Sequence, residues 1–202
     1  MNDQQQRQSP LVTRQPAQLC PSTFLPALPH QVRLRPCTAT DVSALKRLNA
    51  LLLPIPYPDV FYRETLQDPT IHSLTLLAFW YEEDDSSTGH GTCRLIGAVP
   101  PENNDGPMLY LSTLVLLSPY RGHGIATHLL HAVLRRAVVD HGVRYVGAHV
   151  WEANSEGRAW YLRRGFREVA REEGYYRRLS PSDAVVVRRE VGVLDLVSGV
   201  WK

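Results

Sequence analysis

The chain has 202 residues, 44% of them apolar and 21% charged, with 22 basic against 20 acidic side chains for a formal net charge of +2. That composition suits one globular domain of ordinary size with added segments, and it excludes two full domains or a nucleic-acid binder held by bulk charge. No apolar run approaches the roughly 18 residues of a membrane helix. The polar start MNDQQQRQSP does not read as a secretory signal, and Cys20, Cys37 and Cys93 show no CxxC spacing, so the expectation is reduced thiols in the cytoplasm or nucleus.

Residues 1–30 carry five prolines and six glutamines but only three charges, and read as a disordered leader. The alternation Gln31–Arg35 predicts a strand ended by Pro36, after which Asp41 is expected to cap a helix that runs to Pro54. The proline loop 54–58 cannot be helical, because each proline pushes the residue before it to extended geometry. A short helix is expected from Asp59 to Gln67, then strands over 73–81, 92–99 and 108–117, joined by polar hairpin loops EEDDSSTGHG and PPENNDGP. A turn at 121–124 launches a helix with Ile125, Leu129, Val133 and Ala137 on one face, stopped by Gly142. A strand over 144–151, a helix from Asn154 to Arg164, and closing strands over 166–171 and 174–179 complete a domain spanning residues 31–180. The order predicts an α/β fold, and the valine-rich extension 181–202 has no assigned structure.

The most informative stretch is the strand LYLSTLVL at 109–116, the turn SPY at 118–120, and Arg121-Gly122-His123-Gly124-Ile125-Ala126 opening a long amphipathic helix. Glycines let backbone amides approach a ligand closely, and the helix N-terminus adds partial positive charge, so the segment suits a pyrophosphate. Glycine turns before helices are also common where nothing binds. No acidic residue about 20 positions on would hold a dinucleotide ribose, and GK[ST] is absent.

R-G-x-G-x-A after a strand, followed by Asn154, Tyr161 and Gly165-Phe166, resembles the acetyl-CoA-binding core of the GCN5-related N-acetyltransferase superfamily. LKRLN at 45–49, PIPY at 54–57, FYR at 61–63, YLSTL at 110–114, LSPYR at 117–121 and EGYYRRL at 173–179 resemble its branch that acetylates protein N-termini beginning with methionine. The resemblance implies a mixed, mostly antiparallel sheet flanked by helices. It also implies acetyl-CoA as co-substrate and no metal. The implied partners are a peptide or protein N-terminus and NatA-type auxiliary and catalytic subunits at the ribosome, with no direct nucleic acid and no membrane.

Acetyl transfer needs a held donor, an aligned free amine and a route for the amine's proton. Main chain from Arg121, Gly122, His123, Gly124, Ile125, Ala126 and Thr127 is expected at the pyrophosphate. Residues 121–180 hold 11 arginines against 6 acidic residues, a local +5 that is either a solvated basic face or an attraction for phosphates. The resemblance implies a splayed strand whose main chain at Leu114, Val115 and Leu116 pairs with the pantetheine arm and meets the oxyanion. It places Asn154 and Tyr161 near the coenzyme, although Asn154 equally suits a plain helix cap. An α-amine with a pKa of roughly 7.7–8.0 needs only a modest base. His149 lies opposite Ala148 and Val150 on its strand; a packed core histidine is one reading, and the resemblance makes it the base. Tyr110 is then the partner that orders a water relaying the proton, since a phenol with a pKa of about 10 is a poor base itself.

For the acceptor, Leu53, Pro54, Ile55, Tyr57 and Ser112 on one side and Tyr175 and Tyr176 on the other are expected to form the peptide groove; ordinary turn packing is the plainer alternative. Leu53 and Ser112 stand where the family has phenylalanine and methionine, which trims the pocket for the first residue. Gly157 stands where alanine is usual. The i,i+3 spacing of His128 and His131 could suggest a metal, but no third ligand is in view, so the pair reads as a solvated or packed helix face. Two alternatives remain open: a lysine or small-amine acetyltransferase of the same fold, and a non-catalytic subunit of a NatA-type complex.

Overall fold

The computed structural model describes residues 27–81, 87–99 and 107–197, so the leader up to residue 26, the connectors 82–86 and 100–106 and the last five residues lie outside the description. One seven-stranded sheet runs in the order β1-β2-β3-β4-β5-β7-β6. The strands are β1 Val32–Pro36, β2 Leu76–Tyr81, β3 Ser87–Val99, β4 Met108–Leu116, β5 Tyr145–Trp151, β6 Arg167–Glu172 and β7 Ala184–Glu190. Every pairing is antiparallel except β4 with β5. The expected mixed, mostly antiparallel sheet flanked by helices is therefore what forms.

Alternation along the strands sorts the side chains between two cores. In β2, Leu76 and Ala78 join the core with α4 (Ile125–His141), while Leu77 and Phe79 join Leu45 of α1 (Val42–Leu52) and Phe61 and Tyr62 of α2 (Asp59–Gln67) on the other face. From α4, Leu129, Leu130, Val133, Leu134 and Ala137 are wholly buried. That repeat fills a stripe wider than the four positions legible from the simple period. Gly142 closes α4 in the left-handed conformation, with φ 62°, and its amide bonds back to Val138.

Several expectations need correction. Asp41 does not cap α1; its carboxylate turns back to the Thr38 amide, at 2.8 Å, and to Arg35, with a 2.8 Å bond from one guanidinium nitrogen. The strand expected from Ser73 begins at Leu76, because Asp68 and Pro69 start a one-turn helix α3 (Pro69–Ser73), with the Asp68 carboxylate accepting from the amides of Thr70 and Ile71. β3 begins at Ser87, so the end of the first polar connector is strand.

The larger correction is at the C-terminus. Residues 174–179 form turns, not a strand: Gly174 takes φ 65°, and the Leu179 amide bonds to the Tyr176 carbonyl. The strand that closes the sheet is β7, which lies between β5 and β6 and pairs with both. The domain therefore passes the expected boundary at residue 180. β7 reads as a valine run because an interior strand meets protein on both faces, and its alternation is blurred. It is followed by a short helix α6 (Val193–Val197), tied down by a buried pair in which Arg189 donates to Asp195 at 2.6 Å. Among the described residues no helix is long and apolar enough to cross a membrane.

Candidate active site

β4 and β5 pair only over Met108–Tyr110 and Tyr145–Gly147. Beyond Tyr110, β4 continues to Leu116 paired with β3, while β5 continues to Trp151 paired with β7. The two strands thus part at Tyr110, leaving the β5 side of Leu111–Leu116 outside the ladder. Leu111, Thr113 and Val115 are buried, whereas Tyr110, Ser112 and Leu114 share the half-buried face. Of the residues expected along the donor, Leu114 is half-buried and packs against the core, while the side chains of Val115 and Leu116 are buried.

The catalytic candidates meet where the strands part. The Tyr110 hydroxyl is 2.9 Å from His149 Nδ1, so the two groups hydrogen-bond directly. His149 occupies the face opposite the buried Ala148 and Val150, as its alternation indicated. Burial, reinforced by a hydrogen bond with Tyr175, pushes the Tyr110 phenol well above its ordinary range, so it is a neutral hydroxyl at any working pH. His149 Nε2 lies 2.7 Å from Glu172 Oε2.

The acceptor candidates surround this pair. Tyr175 stacks on the His149 ring at 4.2 Å and 5°, and its hydroxyl is 3.1 Å from that of Tyr110. Tyr176 packs edge-on against Tyr175, and its hydroxyl donates to the His149 carbonyl at 3.3 Å. Burial raises the Tyr176 phenol as well. From the opposite side, Tyr57 donates to the Ser112 carbonyl at 2.8 Å and stacks on Phe61 at 3.9 Å, anchoring the proline loop to β4. Leu53, Pro54 and Ile55 lie in that loop, half-buried except for the exposed Pro54.

The donor turn has the geometry of an anion cradle at its centre and not at its ends. Gly122 and Gly124 take φ 82° and 76°, conformations that favour glycine. Among the described residues no backbone carbonyl accepts from the amides of Gly122, His123, Gly124, Ile125 or Ala126, whereas Arg121 donates to Ser118 and Thr127 to Gly124. The Arg121 side chain bonds the Leu116 carbonyl at 3.1 Å, fixing the turn to the end of β4. The His123 ring bonds the Arg121 carbonyl at 2.9 Å.

Asn154 caps α5 (Ser155–Leu162), accepting from the Gly157 amide at 2.9 Å. A Cβ on residue 157 would lie 2.5 Å from Asn154 Nδ2, so glycine there lets the cap fold over the first turn. Tyr161 is buried, with its ring edge-on to Phe166 at 5.0 Å. The basic excess is partly spent within the fold: Arg158 pairs with Glu168, and Arg171 with Glu152 and Asp183.

Two residues had no sequence signal. Glu172 ends an exposed edge strand and reaches His149 only because β7 sets β6 at that distance from β5. Arg164 lies 3.8 Å over the Trp160 ring and donates to Thr127 at 3.0 Å, placing a cation beside the first turn of α4. Burial lowers its guanidinium to about 10, so it stays charged at neutral pH. His128 is buried and His131 half-buried on α4, with burial lowering His131. Among the described residues no three His, Cys, Asp or Glu side chains cluster to hold a metal ion.

The pattern of the Acetyltransferase (GNAT) family matches residues 42–166. N-alpha-acetyltransferase 50 of Danio rerio is 30% identical over 161 residues, covering 80% of this chain and 89% of the zebrafish protein. The Drosophila melanogaster protein named "Probable N-acetyltransferase san" is 31% identical over 78% of this chain and 80% of its own length. Arabidopsis thaliana Naa50, solved with the bisubstrate analogue CoA-Ac-MVNAL, superposes with a TM-score of 0.64 at 28% identity, over 80% of this chain and 99% of that one. With a split sheet, a glycine cradle and these relatives, the chain belongs to the Acetyltransferase (GNAT) family.

Proposed function

We propose that this protein transfers acetyl from acetyl-CoA to the free α-amine of protein N-termini, favouring methionine followed by an apolar residue, by direct attack in a ternary complex. The observation that carries the reading is the Tyr110–His149 hydrogen bond at the point where β4 and β5 separate. The donor lies along Leu114–Leu116, with its pyrophosphate at the Gly122–Ala126 amides. The acceptor enters between Tyr57 and the Tyr175–Tyr176 pair. Tyrosines suit that task, since each packs an apolar body against the peptide and bonds a backbone carbonyl with its hydroxyl. Asn154 and Tyr161 flank the coenzyme from α5.

In this mechanism the amine nitrogen attacks the thioester carbonyl carbon. Main chain of β4 stabilises the oxyanion, and the carbon–sulfur bond breaks to release the thiolate. The excess amine proton passes to the Tyr110 hydroxyl as that hydroxyl gives its own proton to His149 Nδ1, so the phenol stays neutral before and after. The methionine preference draws support from the apolar walls of Leu53 and Ile55 and from the Met-Val start of the peptide in the Arabidopsis analogue. In this reading the protein works in the cytoplasm, with NatA-type subunits at the ribosome as its partners.

A steady-state assay with acetyl-CoA and short peptides tests the proposal. Free Met-Leu and Met-Val starts are compared with Ser, Ala and blocked starts and with an internal lysine. Acetylation of the free methionine starts is expected, with kcat/KM falling about 10²–10⁴-fold in His149→Ala. Turnover confined to lysine side chains, or none while acetyl-CoA still binds, would overturn it.

A further inference from the structure

Glu172 is the last residue of β6, two strands from β5, and sheet register brings the two elements to one face. His149 is level with Val186 of β7, which is level with Ala170, and Glu172 follows Ala170 on the same side of β6. From there Glu172 Oε2 reaches His149 Nε2 at 2.7 Å. An ionised carboxylate can only accept, so the proton of the neutral imidazole resides on Nε2. The lone pair is then on Nδ1, and the Tyr110 hydroxyl at 2.9 Å must donate to it. The Tyr110 oxygen is left as an acceptor, and the Tyr175 hydroxyl 3.1 Å away can supply that bond. One directed chain results, Tyr175 to Tyr110 to His149 to Glu172, in which each bond polarises the next. Reversing the imidazole would put the proton on Nδ1, where the Tyr110 oxygen could accept it, but would leave the Glu172 oxygen facing a lone pair.

We propose that Glu172 is a positioning residue for the acetyl-transfer reaction: it holds His149 in the Nε2–H form, aims the Nδ1 lone pair at Tyr110, and faces the imidazolium formed during transfer. The inference rests on the reading of Tyr110 and His149 as the proton-handling pair. As the proton moves from amine to Tyr110 to Nδ1, imidazole becomes imidazolium, and the Nε2–H bond to Glu172 becomes a charge-assisted one. Glu172 immediately precedes the Glu173–Tyr176 turn, so the segment that presents Tyr175 and Tyr176 to the acceptor also orients the base. His149 is held on three sides, by Tyr110, Tyr175 and Glu172, while the stacked Tyr175 ring covers its face.

The test combines spectroscopy with kinetics. In protein labelled with ¹⁵N at histidine, long-range proton–nitrogen correlation at neutral pH is expected to show His149 of the wild type in the Nε2–H form alone. In Glu172→Ala and Glu172→Gln a mixture with the Nδ1–H form is expected. In the peptide assay both variants are expected to lose about 10- to 100-fold in kcat, with the KM for acetyl-CoA within about twofold of wild type and Glu172→Asp partly restoring kcat. Acetyl-CoA titration of each variant verifies that it is folded, and the wild-type spectrum needs no variant at all. An Nδ1–H tautomer in the wild type, or kcat within twofold of wild type in both the Ala and Gln variants, overturns the proposal. His149→Ala in the same assay separates the two levels. Loss of activity there with unaffected Glu172 variants removes Glu172 alone, while retained activity in His149→Ala removes the reading of the pair as well.

Discussion

At the scale of single residues, Asp41 shows how a short polar side chain chooses among local partners. Its carboxylate accepts from the Thr38 amide and from Arg35, whose guanidinium lies 3.9 Å over Phe79. The Arg35 hydrogen bonds, then those of Thr38, outweigh burial and hold the carboxyl well below the usual carboxylate range. A folded-state value depressed in this way contributes stability that is fully present above the unfolded value and is lost as pH falls through the folded one. Arg35 is a third exposed, which screens the pair. Asp41→Asn is therefore expected to lose about 1–2 kcal/mol at pH 7, and the gap in Tm between variant and wild type is expected to narrow, without closing, as pH is lowered from 5 to 2. A gap unchanged at pH 2 would show that the carboxylate charge is not the cause. Asn154 was legible in the sequence because a cap bonds an amide three residues on, within one turn. Asp41 was not, since Arg35 comes from the preceding strand and competes for the same oxygens. Glu172 and Arg164 were illegible for the same reason on a larger scale, as their partners lie 23 and 37 positions away.

Among the elements, the turn into α4 is the clearest case of local sequence setting local shape. Gly124 occupies the N-cap at φ 76°, where a Cβ costs roughly 1–2 kcal/mol. Gly124→Ala is expected to lower stability by about that amount, and to raise the KM for acetyl-CoA more than it lowers kcat, because the amides of Ile125 and Ala126 change direction. Thermal unfolding and steady-state kinetics on one preparation check both, and an unchanged KM would dissociate the turn from donor binding. The α4 stripe, its glycine stop and the Asn154 cap are all periodic or adjacent signals, and all three appear in the structure. The short helix at Pro69 had an Asp-Pro start that was available to be read. The expected strand over 174–179 contains Tyr175 and Tyr176, yet aromatic residues favour any half-buried surface, so they do not distinguish a strand from the turn that forms here.

At the scale of the whole molecule, β7 decides the topology. Ala184, Val185 and Val187 are buried between β5 and β6, and the strand supplies the only pairing of β6 among the described residues. A chain ending at residue 180 is expected to show no cooperative thermal transition, while one ending at residue 197 keeps it. Circular dichroism on the two chains makes the comparison. A sharp transition in the shorter chain would mean that the sheet closes without β7. The same strand positions the edge from which Glu172 reaches His149, so the fold's closure and the orientation of the candidate base have one structural origin.

The sequence by itself determined the periodic helices, the glycine conformations of the donor turn and the face on which His149 lies, because each is set by contacts within a few residues. It also carried the family motif, which arranges a strand, a turn and a helix in direct succession. Only the tertiary structure decided where β4 and β5 part, that Tyr110 bonds His149 directly, and that β7 passes between β5 and β6. These depend on register between strands distant in the chain, and a strand's own alternation specifies which face a residue takes but not its neighbour across the sheet.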